Sequence, residues 1–192
     1  MATRQARPDT PARADAQRNR LRLIEVAQRA FTTGDGKVSL EAVAKEAGVG
    51  IGTLYRHFPT REALVEAVYL AERARLCEAA DELLAELPPD RALRTWMDRF
   101  ADYIATKREM ADALRALIAD GTVTRSQARE ELSRAVRRLL EAGAAAGTLR
   151  ADVEAEDVVV ALVGVFSVCT PPEQRDQAGR LMDLLMDGLR RG

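Results

Sequence analysis

The sequence predicts an all-α protein, because helix-forming residues dominate it, apolar residues recur at helical spacing, and no segment alternates as a strand does. Ala, Leu, Glu and Arg are abundant among the 192 residues, whereas Phe and Tyr number only 4 and 3. This composition favours helices on intrinsic propensity alone. The length permits either one large core or a small domain beside a larger one. We therefore expect a protein built from helices.

The N-terminal part of the chain predicts an arm and three helices. Residues 1–14 contain Pro, Thr and Arg without apolar periodicity, which indicates a mobile basic arm. Apolar residues recur every three or four positions over about 16–32, which predicts the first helix. Ser39 is placed to cap a second helix that ends at Gly48. A third, short helix is expected over about 50–56.

The rest of the chain predicts further helices. Thr60 is an N-cap for a long fourth helix that ends at Pro88. Later helical patterns cover about 90–118, 124–145, 158–170 and 173–190. The run 158–169 is apolar apart from Gly164 and Ser167, so it predicts a helix that is buried on most sides. Its β-branched valines leave a strand as the alternative.

Charge and cysteine content restrict the function classes. The first 60 residues carry a net charge of +4 and the rest carry −5, which suits a protein that presents one face to phosphate groups. Cys77 and Cys169 match no metal spacing, so we expect reduced thiols, no metal and no cofactor. No segment approaches the ~20 apolar residues of a membrane span, and the arginine-rich start lacks the apolar core of a secretory signal. We therefore expect a cytoplasmic protein without a membrane partner.

The most informative segment covers residues 39–64, with the sequence SLEAVAKEAGVGIGTLYRHFPTREAL. Two short helices that meet at a sharp turn need a small residue where their backbones cross, and Ala44 supplies it. Gly48 supplies a turn position that tolerates positive φ. The shared core is expected to contain Val43, Val49 and Leu54. The segment therefore predicts a helix-turn-helix whose second helix leaves one side free.

The free side of that second helix has the chemistry expected of a DNA contact. Gly50 and Gly52 permit close backbone approach, although each costs about 1 kcal/mol in helix propensity relative to Ala. Thr53 offers a methyl to thymine or a hydroxyl to phosphate, and Tyr55 and His57 have polar tips that reach phosphates. His57 is the one histidine in the sequence, and a histidine without a second ligand does not form a metal site, so a DNA contact is the favoured role. In a helix-turn-helix, such a helix enters the major groove.

The segment resembles the DNA-binding signature of the TetR family of bacterial regulators. The shared pattern runs through AGV, a two-residue variable step, GTLYxHF and a basic residue just inside the next helix. From the free side of the helix and this resemblance, we expect DNA contacts by Ser39, Gly50, Ile51, Gly52, Thr53, Tyr55, Arg56, His57 and Arg61. Gly50 departs from the family pattern by removing a side-chain cap. Ile51 replaces a polar residue, which favours apolar contact with thymine methyls.

The resemblance also implies the architecture of the whole chain. It implies an N-terminal three-helix helix-turn-helix domain followed by a larger helical ligand-binding and dimerisation domain, with the arm at 1–14 and domains at 15–59 and 60–192. The last two helices are expected to pack against their symmetry mates through Val158, Leu162, Val165, Leu181, Leu184, Leu185 and Leu189. Dimerisation also follows from DNA geometry, because one short recognition helix reads only a few base pairs.

A group of apolar and aromatic residues suggests a ligand pocket between the C-terminal helices. Core packing explains any one of them, but apolar cavities between helices are common small-molecule sites, and Trp and Tyr add polar groups. The candidates are Trp96, Phe100, Tyr103, Met110, Leu114, Leu117, Phe166 and Cys169.

These features predict a sequence-specific transcriptional regulator. The favoured form is a homodimeric repressor on a pseudo-palindromic double-stranded operator, released when an unknown small-molecule effector moves the fourth helix. Activation fits the same sequence. A helical enzyme is the weaker alternative, because no phosphate-binding Gly-rich loop, metal cluster or paired nucleophile is found. A non-specific architectural DNA binder is also weaker, because such proteins carry more positive charge.

Overall fold

Helices account for the regular structure of the protein. The computed structural model describes residues 11–33, 38–169 and 174–191. Its helices are α1 (Pro11–Thr33), α2 (Leu40–Glu46), α3 (Ile51–His57), α4 (Arg61–Glu86), α5 (Pro89–Glu109), α6 (Ala111–Ala119), α7 (Arg125–Ala145), α8 (Ala155–Val168) and α9 (Arg175–Leu189). Within these ranges there is no strand, and one isolated antiparallel bridge joins Leu149 and Arg190. The prediction of an all-α fold is confirmed.

The chain divides into two compact units, residues 1–68 and residues 69–192. The first unit contains α1, α2, α3 and the beginning of α4. The second contains the remainder of α4 and the helices that follow it. The division therefore lies inside α4, whereas the sequence predicted it before this helix, at residue 60.

Two predicted boundaries differ from the observed helices. α1 begins at Pro11, so residues 11–14 of the predicted arm are helical, and residues 1–10 lie outside the described residues. The predicted helix over 90–118 is two helices, because the backbone of Met110 leaves the helical region and ends α5 where α6 begins. Periodicity hides this break, since buried side chains continue on both sides of it. The predicted boundary at 170–173 is also outside the described residues.

The core of the first unit forms where α1, α2 and α3 contact one another. α1 buries Leu23, Ala27 and Phe31 at helical spacing, and α2 buries Val43 and Ala44. Burial of these side chains is the main stabilising contribution, at roughly 25 cal/mol per Å² of apolar surface. The exposed ion pair between α1 and α2 contributes little by comparison, because both charges are solvated.

The turn between α2 and α3 depends on Gly48. Its φ is +69°, a left-handed conformation that costs a residue with Cβ about 1–2 kcal/mol. The Gly48 N–H donates to the Lys45 carbonyl at 3.1 Å, and the Val49 N–H donates to the Ala44 carbonyl at 3.0 Å. These bonds satisfy carbonyls that the end of α2 leaves free. The predicted role of Gly48 is confirmed by this geometry.

α5 is the central helix of the second unit, with contacts to α6, α7, α8 and α9. Its Trp96 ring is fully buried, and the indole N–H donates to the Leu76 carbonyl of α4 at 2.8 Å. α7 packs on α5 and on α8. α8 is a helix, as favoured over the strand alternative, and it buries Val158, Leu162 and Phe166 on one face.

Helix α7 and the loop after it are packed too closely at Gly143 to admit a side chain. We expect Gly143→Ala to lower the free energy of unfolding by about 1–3 kcal/mol, because the new Cβ would lie 2.8 Å from the Leu149 Cβ. Urea denaturation followed by circular dichroism measures the change. Gly179→Ala is the control, since nothing lies within 4 Å of its Cβ, and we expect it to raise stability by up to about 1 kcal/mol. Equal effects at the two positions would contradict this packing.

A second pair of glycines tests the turn. Gly48→Ala is expected to destabilise the protein by about 1–2 kcal/mol, because alanine is strained at positive φ even though nothing crowds the site. Gly52→Ala is expected to raise stability, because Gly52 lies inside α3 and nothing lies within 4 Å of the added Cβ. Denaturation curves of the two variants should therefore move in opposite directions. A shift of both in the same direction would refute the explanation.

Candidate nucleic-acid interface and ligand cavity

One side of α3 is free of packing. Leu54 is the residue of α3 that is fully buried, and it fixes the inner side of the helix. Ile51 and Tyr55 are 40% and 44% exposed, and Gly52 and Arg56 are exposed as well. Residues four apart share a helix face, so the four form two adjacent rows. This surface offers an apolar group, an open backbone, a phenol and a guanidinium.

The remaining predicted DNA contacts on and near α3 are less exposed or serve the local fold. Thr53 and His57 are half-buried. Gly50 caps α3 without a side-chain hydrogen bond, as its lack of a side chain predicted. The Ser39 hydroxyl accepts from the Ala42 N–H at 3.3 Å, which confirms its predicted role as the N-cap of α2.

Ser39 also sets the charge at the start of α2. Its hydroxyl donates to Glu41 Oε2 at 2.7 Å. This hydrogen bond holds the pKa of Glu41 below its usual range. Glu41 is therefore ionised, and it lies in the first turn of α2, where the helix dipole favours a negative charge.

Two arginines of the first unit lie over aromatic rings. The Arg61 guanidinium carbon is 5.8 Å from the centroid of the Phe31 ring, and that of Arg20 is 5.3 Å from the Phe58 ring. Both rings are buried, so each arginine covers the edge of the apolar core. For Arg20, the sequence pattern did not indicate this position. Such contacts hold a cation near the surface in a defined place.

The second unit contains an apolar cavity of about 180 Å³ between α4, α5, α6, α7 and α8. Its wall residues are Tyr69, Phe100, Tyr103, Ile104, Lys107, Leu114, Ile118, Val123, Arg125, Ala128, Arg129, Leu132, Val159, Val160 and Val163. Three of the predicted pocket residues, Phe100, Tyr103 and Leu114, are among them. Sequence reasoning missed the valines of α8 and the basic residues, because periodicity does not distinguish a cavity wall from the core.

The other five predicted pocket residues do not line this cavity. Trp96 uses its polar group on a backbone carbonyl and is fully buried in the core. Met110 and Leu117 are buried outside the cavity wall. Phe166 packs against Phe100, with the ring centroids 6.0 Å apart, instead of facing the cavity. Cys169 is buried beyond the end of α8, where its carbonyl accepts from an α5 arginine.

Two tyrosines and three basic residues supply polar groups to the lining of the cavity. Tyr69 and Tyr103 are hydrogen-bonded, and burial raises the pKa of Tyr103 above its usual range, so its hydroxyl remains protonated. Lys107, Arg125 and Arg129 also line the cavity. The lining contains no acidic residue among those that the structure describes.

The residues predicted for a dimer interface fall into two groups. Val158, Leu162 and Leu189 are buried inside their own chain, because they occupy the inner stripes of α8 and α9. They therefore belong to the core and not to an outer surface. The second group is half-buried or exposed and comprises Val165, Leu181, Leu184 and Leu185. Leu184 is 67% exposed, and the unpredicted Val168 is 70% exposed.

Two features are absent from the described part of the chain, a metal-binding cluster and a membrane-spanning helix. No group of three or more His, Cys, Asp or Glu side chains is arranged there to hold a metal ion. None of its helices has both the length and the apolar character that crossing a membrane requires.

Two family models match the chain over most of its length. Residues 23–68 match the model described as bacterial regulatory proteins of the tetR family. Residues 88–191, more than half of the chain, match the model described as the C-terminal domain of SbtR-like transcriptional regulators. The first match contains α2, α3 and the turn between them.

Individual proteins give the same result. The TetR transcriptional regulator SCO0520 from Streptomyces coelicolor is 49% identical, with a TM-score of 0.80 over 89% of this chain and 98% of that one. A TetR regulatory protein from Mycobacterium vanbaalenii is 35% identical, with a TM-score of 0.74 over 94% and 100%. The HTH-type transcriptional regulator SAUSA300_2515 from Staphylococcus aureus is 45% identical over 53 residues, 27% of this chain and 29% of that protein. The match to such curated relatives thus spans less than a third of their length. The chain belongs to the TetR family of bacterial transcriptional regulators, and it is a DNA-binding regulator and not an enzyme.

Proposed function

We propose that the protein is a homodimeric repressor that occupies a pseudo-palindromic operator and is released by a small-molecule effector. The observation that carries this proposal is the free side of α3, where four exposed residues stand on a helix held by one fully buried leucine. A regulator of this kind acts on the bacterial chromosome, so we place it in the cytoplasm.

The residues on α3 suit major-groove contacts. Gly52 leaves the helix backbone open to close approach, and Ile51 offers an apolar group to thymine methyls. Tyr55 and Arg56 supply a hydroxyl and a guanidinium for phosphate or base edges. The exposed Ser39 and the half-buried Thr53, His57 and Arg61 are proposed to contact the DNA backbone at the edge of this surface. We further propose that Gly50 permits close approach at the start of the helix.

The outer surface of α8 and α9 supports a dimer. α8 and α9 contact each other, and both leave apolar side chains in solvent, above all Val168 and Leu184. A second copy that covers these side chains would remove apolar surface from water on both chains. We propose that the interface includes Val165, Leu181, Leu184 and Leu185, with Val168 added. Two recognition helices then supply the affinity that one lacks.

The effector is proposed to act through α4. Tyr69 of this helix lines the cavity, and the same helix begins at Arg61 in the first unit. A ligand that contacts Tyr69 therefore contacts the element that enters the DNA-binding unit. It changes DNA affinity only to the extent that it binds the released state more tightly than the DNA-bound state.

Selection of binding sites from a random DNA pool tests the proposal. We expect an inverted repeat with half-sites about one helical turn apart, at a stated salt concentration. Enrichment of a single half-site would contradict the dimer. Equal affinity for selected and random DNA would instead identify a non-specific binder.

The α3 surface can be tested by substitutions that leave its packing unchanged. On the selected site, we expect Tyr55→Phe to weaken binding about three- to tenfold, because it removes one hydrogen bond to the DNA. Arg56→Gln should cost about 1–3 kcal/mol of binding free energy. Fluorescence anisotropy at several salt concentrations measures both effects.

The control is Arg115→Gln, which removes an exposed charge from α6 in the other unit. It should leave the affinity within experimental error of the unchanged protein. The salt dependence then separates two roles for Arg56, because loss of a phosphate contact lowers the slope by about one and loss of a base contact does not. Unchanged affinity in both α3 variants would refute this recognition surface.

The dimer interface has its own test. Leu184→Arg is expected to convert the dimer to a monomer, because it places a charge at an exposed apolar position that must become dry in the proposed interface. Leu21→Arg on α1, where leucine is 49% exposed, is the matched control and should stay dimeric. Sedimentation velocity distinguishes the two states. A Leu184→Arg variant that remains dimeric would exclude this surface.

A further inference from the structure

The cavity in the second unit has a largely apolar lining that also carries positive charge. Most of the wall is apolar, with aromatic rings from α4 and α5 and valines from α8. The three charged residues in the lining, Lys107, Arg125 and Arg129, are all cations. A neutral apolar ligand would offer none of these cations a negative partner. The asymmetry therefore points to a ligand with an apolar body and a negative group.

The three cations differ in how far other groups already satisfy them. Arg129 forms an ion pair with Glu156 at 3.3 Å, and both side chains are largely exposed. The Lys107 ammonium lies 6.0 Å from the centroid of the Tyr69 ring, so it is held at the aromatic wall. Arg125 forms no ion pair with any residue that the structure describes. Lys107 and Arg125 are therefore the cations best placed to accept an anion from the ligand.

A second depression continues from the same place along α7. It shares Arg125 and Arg129 with the cavity and is also lined by Ser126, Glu130, Ser133, Arg134, Arg137 and Glu156. Ser133 is 7% exposed, and its hydroxyl has no hydrogen-bond partner among the described residues. A buried hydroxyl without a partner is costly unless a ligand or water completes it. Four arginines and two glutamates are among the described residues that line this depression, so its net charge is positive.

The size of the cavity limits the apolar body. An apolar cavity of about 150 Å³ accommodates benzene. The cavity here, of about 180 Å³, therefore suits an apolar body of about six to eight carbons, as a chain or a single ring. Larger apolar molecules would project beyond the cavity unless its walls moved.

We propose that the effector is an anionic amphiphile, with an apolar body of about six to eight carbons in the cavity and a carboxylate or phosphate group at Lys107 and Arg125. This inference rests on the proposed function, since it specifies the effector of the same regulatory unit. Charge-assisted hydrogen bonds from the two cations would orient the ligand, and the apolar wall would supply most of the affinity.

Calorimetric titration of the full chain without DNA tests the ligand class directly. The probes are octanoate, octyl phosphate and 1-octanol, which share an apolar chain and differ in the head group. We expect at least one anion to bind about tenfold or more tightly than the alcohol. The tighter of the two anions identifies the head group as carboxylate or phosphate. An alcohol that binds as tightly as both anions would overturn the proposal.

Variants test the position of the negative group. Arg125→Gln and Lys107→Met should each reduce the preference for the anion about three- to tenfold, while binding of 1-octanol stays unchanged. Arg91→Gln is the matched control, because Arg91 lies on the same helix as Lys107, about 24 Å away along the axis, and lines neither the cavity nor the depression. A preference that survives in both variants, or that is lost in the control, would overturn the placement.

DNA release is measured separately with the selected operator. Anions that bind and also release the operator support both the ligand class and the proposed effector mechanism. Anions that bind without releasing DNA support the ligand class and contradict effector release. Failure of all three probes to bind overturns the ligand class, whatever the result with DNA.

Discussion

The position of α3 is the constraint on which the DNA-binding unit depends. A helix of seven residues is too short to be stable alone in water, and Gly52 lowers its propensity further. Its position comes from the burial of Leu54 and Phe58 and from the left-handed turn at Gly48. These residues use only the inner side of the helix. The outer side is therefore free to carry side chains that contribute to DNA contact and not to stability.

A comparable constraint acts on the wall of the cavity in the second unit. Arg73 is 5% exposed, and a charge so deeply buried is tolerated only when it is fully partnered. Its guanidinium pairs with Glu131 of α7 at 2.8 Å and lies 5.3 Å from the centroid of the Tyr69 ring. The buried charge thus links α4 to α7 and holds the Tyr69 ring in place beside the cavity. Movement of α4 would have to preserve or replace these contacts.

Local signals were predictable from the sequence, whereas the choice between core and functional surface was not. Ser39 and Gly48 act within a few residues of their own positions, so capping chemistry and positive φ were sufficient to predict them. Trp96 and Leu162 were assigned to a pocket and an interface, but both are fully buried in the core. Apolar periodicity shows which side of a helix avoids water. It does not show whether the chain itself, a ligand or a second copy covers that side.

Helix α8 shows why this distinction requires the tertiary structure. Its central stripe, which includes Leu162, packs in the core, and Val160 and Val163 on one flank line the cavity. Val165 and Val168 lie away from that flank, on the surface proposed for dimerisation. Each valine has the same chemistry, so only its angle around the helix determines its role. A ligand in the cavity therefore touches the same rigid helix that the proposed dimer partner covers, and a small rotation of α8 would change both surfaces together.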